Sequence, residues 1–199
     1  HFSAYRNRRF FGRFSLRIPG EHNAVNALGV IAVARHFGIS RRTILEALRS
    51  FRGTRRRFER VGSYRGAPLI DDYAHHPSEI RATLRAARDC FPGRRIVAIF
   101  QPHTFSRTRV LLTDFARAFA DADEVVILDV YSSAREKSGR VGGRQLTRLM
   151  RSFRKEVRYI PKIVPAITYL RRRLKKQAAL LALGAGDVWK VARALAIRR

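Results

Sequence analysis

The fold class of this chain is indicated first by an apolar run in its middle, Ile96-Val97-Ala98-Ile99-Phe100, which ends in the polar segment Gln101-Pro102-His103. A short continuous apolar run rich in β-branched residues is typical of a strand buried on both faces. Strands are predicted on the same grounds at 67–71, 95–100, 124–129, 156–160 and 178–183, and helices at 77–90, 106–120, 143–154, 162–176 and 187–197. This alternation predicts an α/β fold with a mainly parallel sheet flanked by helices.

The N-terminal residues predict a different local arrangement. Residues 1–18 read as the end of a β-region whose apolar side chains alternate from Phe14 onward. Helical spacing of apolar residues begins at Val25 and predicts a helix ended by Gly38, and Ser40 is placed to cap a second helix. Two helices and a ribbon bury too little surface to fold independently.

The chain is therefore expected to have two parts. Residues 1–53 are interpreted as the tail of a truncated domain, and residues 54–199 as a complete α/β domain. Ligands of open α/β sheets bind beyond the carboxyl ends of the strands, so the segments that follow the strands are the candidate site. The segment 132–143 is expected to be a flexible loop.

The charge of the chain is its most unusual property. Forty-two basic residues oppose 15 acidic ones, the net charge is +27, and all but six of the basic residues are Arg. Such an excess attracts polyanions, and a basic nucleic-acid-binding α/β domain is one alternative reading. The arginines are spread along the whole chain and accompany no nucleic-acid-binding motif, so nucleic acid is not the expected partner.

The remaining composition favours a globular domain without a membrane partner. Hydrophobic residues make up 46% of the chain, and no apolar run reaches the length of a membrane span. Cys90 is the single cysteine, which excludes an internal disulfide. A reducing cytoplasm is the simplest location for such a chain.

A polar segment, Asp71-Asp72-Tyr73-Ala74-His75-His76-Pro77, links a predicted buried strand to a helix that begins at Pro77. Carboxylates and imidazoles at such a turn are costly for stability alone, which favours a functional role. Adjacent strand residues face opposite ways, so we expect one of Asp71 and Asp72 to face the crevice. A zinc site using His75, His76 and a carboxylate is the alternative, but no Cys or His at ligand spacing completes the set, and no metal is expected here.

A second polar segment, residues 101–108, follows the central strand in the same way. His103 and Arg107 are four residues apart at the predicted start of a helix, where backbone N–H groups favour an anion. A small carboxylate ligand suits this site. The alternative is a capped helix that carries a surface Arg.

Two further segments could contact a nucleotide. Asn23 and Asn26 are three residues apart and share one helix face, and their amides match the edge of a purine. Helix capping by His22 or Asn23 is the alternative. Arg57 lies in the cluster 55–57 and could bind phosphate through its planar fork, and the alternative there is a solvated basic linker.

These segments, in this order, resemble the Mur ligases of peptidoglycan synthesis. The segments at 71–77 and 101–108 are highly specific, whereas those at 22–26 and 56–59 are shared more widely across the family. The segment Gly184-Ala185-Gly186-Asp187-Val188-Trp189-Lys190 looks like the closing motif of the family. The resemblance is particularly to the ligases that join L-alanine to UDP-N-acetylmuramate.

The resemblance runs from about Pro19 to the C-terminus and implies a domain organisation. Mur ligases have a UDP-sugar domain, a central ATPase domain and a C-terminal Rossmann-like domain that binds the incoming amino acid. Residues 1–53 would then be the C-terminal remnant of the central ATP-binding domain, and 54–199 the Rossmann-like ligase domain. A ligase that acts on a later muramoyl-peptide precursor is the alternative within the family.

The resemblance also implies roles for individual residues toward ATP. Asn23 and Asn26 would approach the adenine, Arg57 the phosphates, and Asp72 the ribose.

The incoming amino acid would be held by other residues. The resemblance implies that His103 and Arg107 hold the carboxylate of L-alanine, and that His75 and His76 line the same cleft. Thr104 stands where many relatives carry Arg. The implied reaction forms an acyl-phosphate from the muramoyl carboxylate, which the alanine amine then attacks, and no catalytic residue is assigned within this chain.

The chain departs from the family pattern in one respect. No G-x-x-x-x-G-K-[ST] phosphate loop occurs in its 199 residues. We expect this loop, the UDP-sugar domain and the residues that bind Mg²⁺ to lie upstream of His1. The 199 residues are therefore expected to be inactive by themselves.

Overall fold

A computed structural model of the chain describes residues 1–131, 139, 141–153 and 156–196. Most of the predicted flexible loop at 132–143 lies outside the described residues. The chain divides into two compact units, His1–Thr54 and Arg55–Arg199, and each has its own hydrophobic core.

The first unit consists of an antiparallel ribbon and two helices: β1 (Phe2–Arg6), β2 (Arg9–Phe14), α1 (Glu21–His36) and α2 (Arg41–Ser50). Its core is formed by Ala4, Phe14, Ala27, Ile31, Ile44 and Leu48. The expectation of a strand alternating from Phe14 onward is wrong, because β2 ends at that residue. The Phe14 side chain is 1% exposed, so Phe14 packs in the core at the end of β2 and does not begin a further strand.

The predicted end of the first helix at Gly38 and the predicted cap of the second helix by Ser40 are both confirmed. Gly38 follows the last turn of α1 with φ +76°, a conformation that favours glycine after a helix. The Ser40 hydroxyl accepts a hydrogen bond of 3.1 Å from the Thr43 N–H and so caps α2.

The second unit is built on a six-stranded sheet in the order β3-β4-β8-β5-β6-β7. Its strands are β3 (Glu59–Tyr64), β4 (Ala67–Asp72), β5 (Arg95–Phe100), β6 (Glu124–Ile127), β7 (Val157–Tyr159) and β8 (Ala178–Leu183). Its helices are α3 (Pro77–Cys90), α4 (Phe105–Val110), α5 (Leu112–Arg117), α6 (Gly143–Arg151), α7 (Ile163–Arg173) and α8 (Trp189–Ala196). All strand pairs except β3–β4 are parallel, which confirms the predicted mainly parallel α/β fold.

The core of this unit lies on both faces of the sheet. In β5, Ile96, Ala98 and Phe100 pack on one face, together with residues of α3, α5 and α6. Val97 and Ile99 pack on the other face with residues of α7 and α8. Since successive strand residues point to opposite faces, a continuous apolar run is required where both faces are covered.

Two elements differ from the prediction. Strand β3 was not predicted, because it lies at the sheet edge and carries few apolar residues, among them Val61. The single helix predicted at 106–120 is divided at Leu111, whose ψ of 20° leaves the helical range. Apolar side chains keep helical spacing across the break, with Phe115 and Phe119 both buried, so the pattern could not reveal it.

Because the second unit has cores on both faces of its sheet, a protein that begins at Arg55 should fold by itself. Residues 1–54 alone should not, because large apolar side chains such as Val25, Val33 and Phe37 are exposed in that unit. Thermal unfolding followed by circular dichroism should show a cooperative transition for the first protein only. A non-cooperative trace for the protein starting at Arg55 would contradict this division.

Candidate functional site

Three loops lie side by side at the carboxyl ends of adjacent strands. They follow β4 (residues 73–76), β8 (184–187) and β5 (101–104). Strand β8 is the last strand in sequence, but it lies between β4 and β5. The strand order therefore reverses at β8, and the three loops lie at this position. Such a point forms the ligand crevice of open α/β sheets.

A row of aromatic rings and imidazoles crosses these loops. The ring centroids of Tyr73 and His75 are 5.3 Å apart, and those of His75 and His103 are 6.2 Å apart. His103 in turn stacks on Tyr131, with centroids 5.7 Å apart and an angle of 15° between the ring planes. The structure therefore brings together two of the segments singled out in the sequence, and it adds Tyr131 from the segment after β6.

The orientation of His75 is set by its own turn. Its Nδ1 lies 3.0 Å from the Tyr73 carbonyl oxygen and 3.3 Å from Oε2 of Glu79. The same Glu79 oxygen accepts the backbone N–H bonds of His75 and His76 at 2.9 and 3.1 Å. Burial opposes the charge of Glu79, but these N–H bonds and the charges of His75 and Arg57 outweigh burial and lower its pKa.

His76 is used differently from His75. It is the N-cap residue of α3, and its Nδ1 lies 2.8 Å from the Ser78 hydroxyl. The helix begins at Pro77, as predicted. The imidazole of His76 is exposed and engaged in this cap, and its assignment to the amino-acid cleft stays a prediction.

Arg107 is half-buried in the first turns of α4. Its Nη1 is buried and has no hydrogen-bond partner among the described residues. Burying a guanidinium nitrogen without an acceptor is costly, so this atom is available to a ligand oxygen. Just before the helix, Thr104 adopts φ +64°, which is strained for a β-branched residue and typical of functional sites.

The half-buried Arg56 joins two of the loops. Its guanidinium donates hydrogen bonds to three carbonyl oxygens of the loop after β8: Gly184 at 2.5 Å, Ala185 at 3.3 Å and Gly186 at 3.3 Å. Its centre also lies 4.9 Å from the Tyr73 ring, and its backbone oxygen accepts the Tyr73 N–H at 2.7 Å. Arg56 therefore fixes the loops after β4 and β8 relative to each other.

Both adjacent carboxylates of β4, Asp71 and Asp72, have partners within the protein. Nε of Arg56 lies 3.4 Å from Oδ2 of Asp71, whose side chain is 0% exposed. Burial opposes the Asp71 charge more strongly than Arg56 favours it, and it raises the pKa of this carboxyl to about 6. Asp72 accepts the N–H groups of Phe58 and Ala74, each at 2.7 Å.

The Asp72 side chain completes a turn and the Asp71 side chain pairs with Arg56, and the expectation that one carboxylate of this pair faces the crevice stays a prediction. The role of Asp72 toward ribose stays a prediction.

The other residues assigned to ATP lie in both units. In the second unit, Arg57 is exposed, with its guanidinium 5.6 Å from the Tyr73 ring. In the first unit, Asn26 is exposed, and Nδ2 of Asn23 donates to the Pro19 carbonyl at 2.6 Å. The alternative of capping by His22 or Asn23 is wrong, since the N-cap of α1 is a glycine without a side-chain cap bond.

The described residues show neither a cluster of metal-ligand side chains nor a membrane-spanning helix. They contain no group of three or more His, Cys, Asp and Glu side chains that could hold a metal ion. None of the helices in the described ranges has the length and apolar character needed to cross a membrane.

Sequence reasoning did not single out Arg56, Glu79 and Tyr131 as parts of this site. Glu79 carried a signal, since its spacing of three residues from His76 fits a capping box. Tyr131 carried a weaker one, because it follows β6 at the same edge of the sheet. Nothing in a run of three arginines distinguishes Arg56 from its neighbours.

The fold and the site define a Rossmann-like α/β ligand-binding domain with a crevice lined by imidazoles and Arg. Residues 56–186 match the family model described as Mur ligase, glutamate ligase domain, and the chain belongs to the Mur ligase family.

Sequence relatives agree with this assignment. The UDP-N-acetylmuramate–L-alanine ligase of Desulfitobacterium hafniense is 46% identical over 185 residues, which cover 92% of this chain and 41% of that protein. The ligase of the same name from Caldanaerobacter subterraneus is 42% identical and matches 96% of this chain and 41% of its own. The chain thus spans about two fifths of the length of these relatives.

A solved structure agrees as well. The crystal structure of UDP-N-acetylmuramate–alanine ligase from Thermotoga maritima superposes with a TM-score of 0.80 at 34% identity. The match covers 95% of this chain and 40% of that one.

The buried Asp71 carboxyl should give a distinct pH dependence of stability. Its pKa is about 6 in the folded chain and 3.8 as a free side chain, so the folded protein binds this proton more tightly. The contribution of Asp71 to the unfolding free energy should therefore fall as the pH rises from about 4 to about 6, by on the order of 3 kcal/mol, and then stay level.

Urea unfolding followed by the fluorescence of Trp189, the single tryptophan, measures this effect. The difference between the wild-type chain and Asp71→Asn should change over that pH range. The exposed Asp114, which lies on α5, provides the control, and Asp114→Asn should leave the pH profile nearly unchanged. A constant difference between the wild type and Asp71→Asn would show that folding does not raise the pKa of the Asp71 carboxyl.

Proposed function

We propose that this chain is the C-terminal part of an ATP-dependent ligase that joins L-alanine to UDP-N-acetylmuramate, acting in the cytoplasm. The observation that carries the proposal is the His75–His103 ring contact, followed four residues later by the unpartnered buried nitrogen of Arg107, on a chain whose relatives bear the name of that ligase. The same names favour this reaction over ligation to a later muramoyl-peptide precursor.

The amino-acid site is proposed at the loop after β5. Arg107 offers a buried guanidinium nitrogen that lacks an acceptor among the described residues, which is the complement of a carboxylate. His103 lies four residues before it, in the loop that precedes α4, and its ring centroid is 6.2 Å from that of His75. Because α4 has only six residues, the guanidinium supplies the main attraction for the carboxylate, and the helix dipole contributes little.

Each unit carries residues that the family resemblance assigns to ATP, and each assignment is proposed for its own unit. Arg57 would contact the phosphates, since its exposed guanidinium has no carboxylate partner within the described ion pairs. Asn23, Asn26 and Asp72 would take the adenine and ribose, as the family resemblance implies. The hydrogen bond from Asn23 Nδ2 to the Pro19 carbonyl holds that amide in one orientation.

The proposed chemistry places the residues of this chain at the second step. ATP would convert the muramoyl carboxylate to an acyl-phosphate, and the alanine amine would attack its carbonyl carbon and release phosphate. Gripping the alanine carboxylate at Arg107 holds the amine at a fixed distance from that carbon, which replaces a bimolecular encounter by a positioned one. Mg²⁺ is expected to assist with the phosphates, and no group of three or more His, Cys, Asp and Glu side chains among the described residues is assigned to it.

Arg107→Ala should raise the KM for L-alanine and leave the KM for ATP nearly unchanged. Loss of one charge-assisted carboxylate contact costs roughly 2–3 kcal/mol, which corresponds to about 30- to 150-fold in KM. Lys at this position should restore only part of the affinity, because an ammonium keeps the charge and loses the planar fork. The measurement is steady-state ADP release by a chimeric ligase in which these 199 residues replace the matching segment of the Desulfitobacterium hafniense protein.

Arg109 supplies a matched control, since it lies on the same short helix and is exposed. Arg109→Ala should leave both KM values unchanged. An unaltered alanine KM in a folded Arg107→Ala chimera would show that Arg107 is a surface residue without a ligand, and the proposed amino-acid site would be wrong.

A further inference from the structure

Tyr131 belongs to none of the segments that resemble the family motifs. Tyr131 lies four residues after the end of β6 and is half-buried. Its ring is stacked on His103 with nearly parallel planes, at a centroid distance of 5.7 Å. This contact reaches the proposed amino-acid site from a loop that carries no other assigned residue.

The backbone of Tyr131 holds the same segment. Its N–H donates to the Pro102 carbonyl at 2.8 Å, and its carbonyl oxygen lies 3.5 Å from the Thr104 N–H. These contacts form an isolated parallel β-bridge between His103 and Tyr131, beyond the end of the β5–β6 ladder. The bridge therefore fixes the backbone of both neighbours of His103, Pro102 and the strained Thr104.

The loop after β8 leaves room for the Tyr131 ring. A Cβ atom placed on Gly186 would lie 2.6 Å from Cγ of Tyr131 and 2.6 Å from Oε1 of Gln101. Gly186 does not need a positive φ, so the demand for glycine there comes from this close approach. The ring of Tyr131 is consequently confined by the loop after β8 while it stacks on His103.

We propose that Tyr131 is a positioning residue for the amino-acid site, which fixes the imidazole of His103 and the backbone of Thr104 at the start of α4. This inference rests on the proposed function for the identity of the ligand. The ring and the bridge do the positioning, and the phenol hydroxyl has no part in it. A small displacement of positioning groups is enough to weaken a site considerably.

The first test uses the 199-residue chain and nuclear magnetic resonance. Ring protons of His103, assigned with a His103→Gln variant, should show nuclear Overhauser contacts to the ring of Tyr131 in the wild-type chain. Tyr131→Leu should shift the His103 ring resonances because the stacked ring current is lost, whereas Tyr131→Phe should shift them little. Absence of the contacts in the wild type overturns the proposal without any variant having to fold.

The second test uses the chimeric ligase. Tyr131→Leu should raise the KM for L-alanine about 10-fold and leave the KM for ATP unchanged, and Tyr131→Phe should behave as wild type. A merely structural role would lower activity without this separation of the two constants. Equal effects of Tyr131→Leu and Tyr131→Phe would overturn the proposal, because Phe keeps the aromatic ring and Leu does not.

The two proposals fail in different ways. If Arg107→Ala raises the alanine KM and Tyr131→Leu does not, the positioning role is wrong and the amino-acid site stands. If Arg107→Ala has no effect, the site itself is wrong, whatever the resonance experiment shows for the ring contact.

Discussion

The arrangement of the crevice depends on one guanidinium, that of Arg56. It is bonded to three carbonyl oxygens after β8, lies against the ring of Tyr73 after β4, and faces the buried carboxylate of Asp71. Two adjacent strands of a parallel sheet thus end in loops that are held together by one side chain. The neighbouring residue in sequence, Arg57, is thereby placed over the same Tyr73 ring, where the proposed phosphate contact lies.

Arginine also serves as a structural donor elsewhere in this unit. At the opposite edge of the sheet, Arg94 donates to the carbonyl of Gly66 in the β3–β4 turn and to those of Lys176 and Ala178 at the start of β8. A planar fork with five donors suits this use better than an ammonium, since it reaches several acceptors at once. Part of the arginine content is therefore explained by loop closure within the fold.

Much of the second unit could be predicted from its sequence, because strands buried on both faces give continuous apolar runs such as that of β5. The edge strand β3 and the break at Leu111 leave the hydrophobic pattern unchanged and could not be seen. The segments containing His75 and His103 are both candidate-site segments because each follows a strand, and the family resemblance implies that they line one cleft. The role of Arg56 could not be predicted, since it depends on β8, which enters the sheet out of sequence order, and Tyr131 carried only the weak signal that it follows β6.

The central claim is that this crevice binds a small amino acid through its carboxylate. It is tested most directly by titrating L-alanine into the isotopically labelled 199-residue chain and following the His75, His103 and Arg107 side-chain resonances. The account predicts saturable shifts at these three side chains with L-alanine and none with L-alaninamide, which lacks the carboxylate. Shifts of equal size with both compounds, or no shifts at these side chains with either, would contradict it.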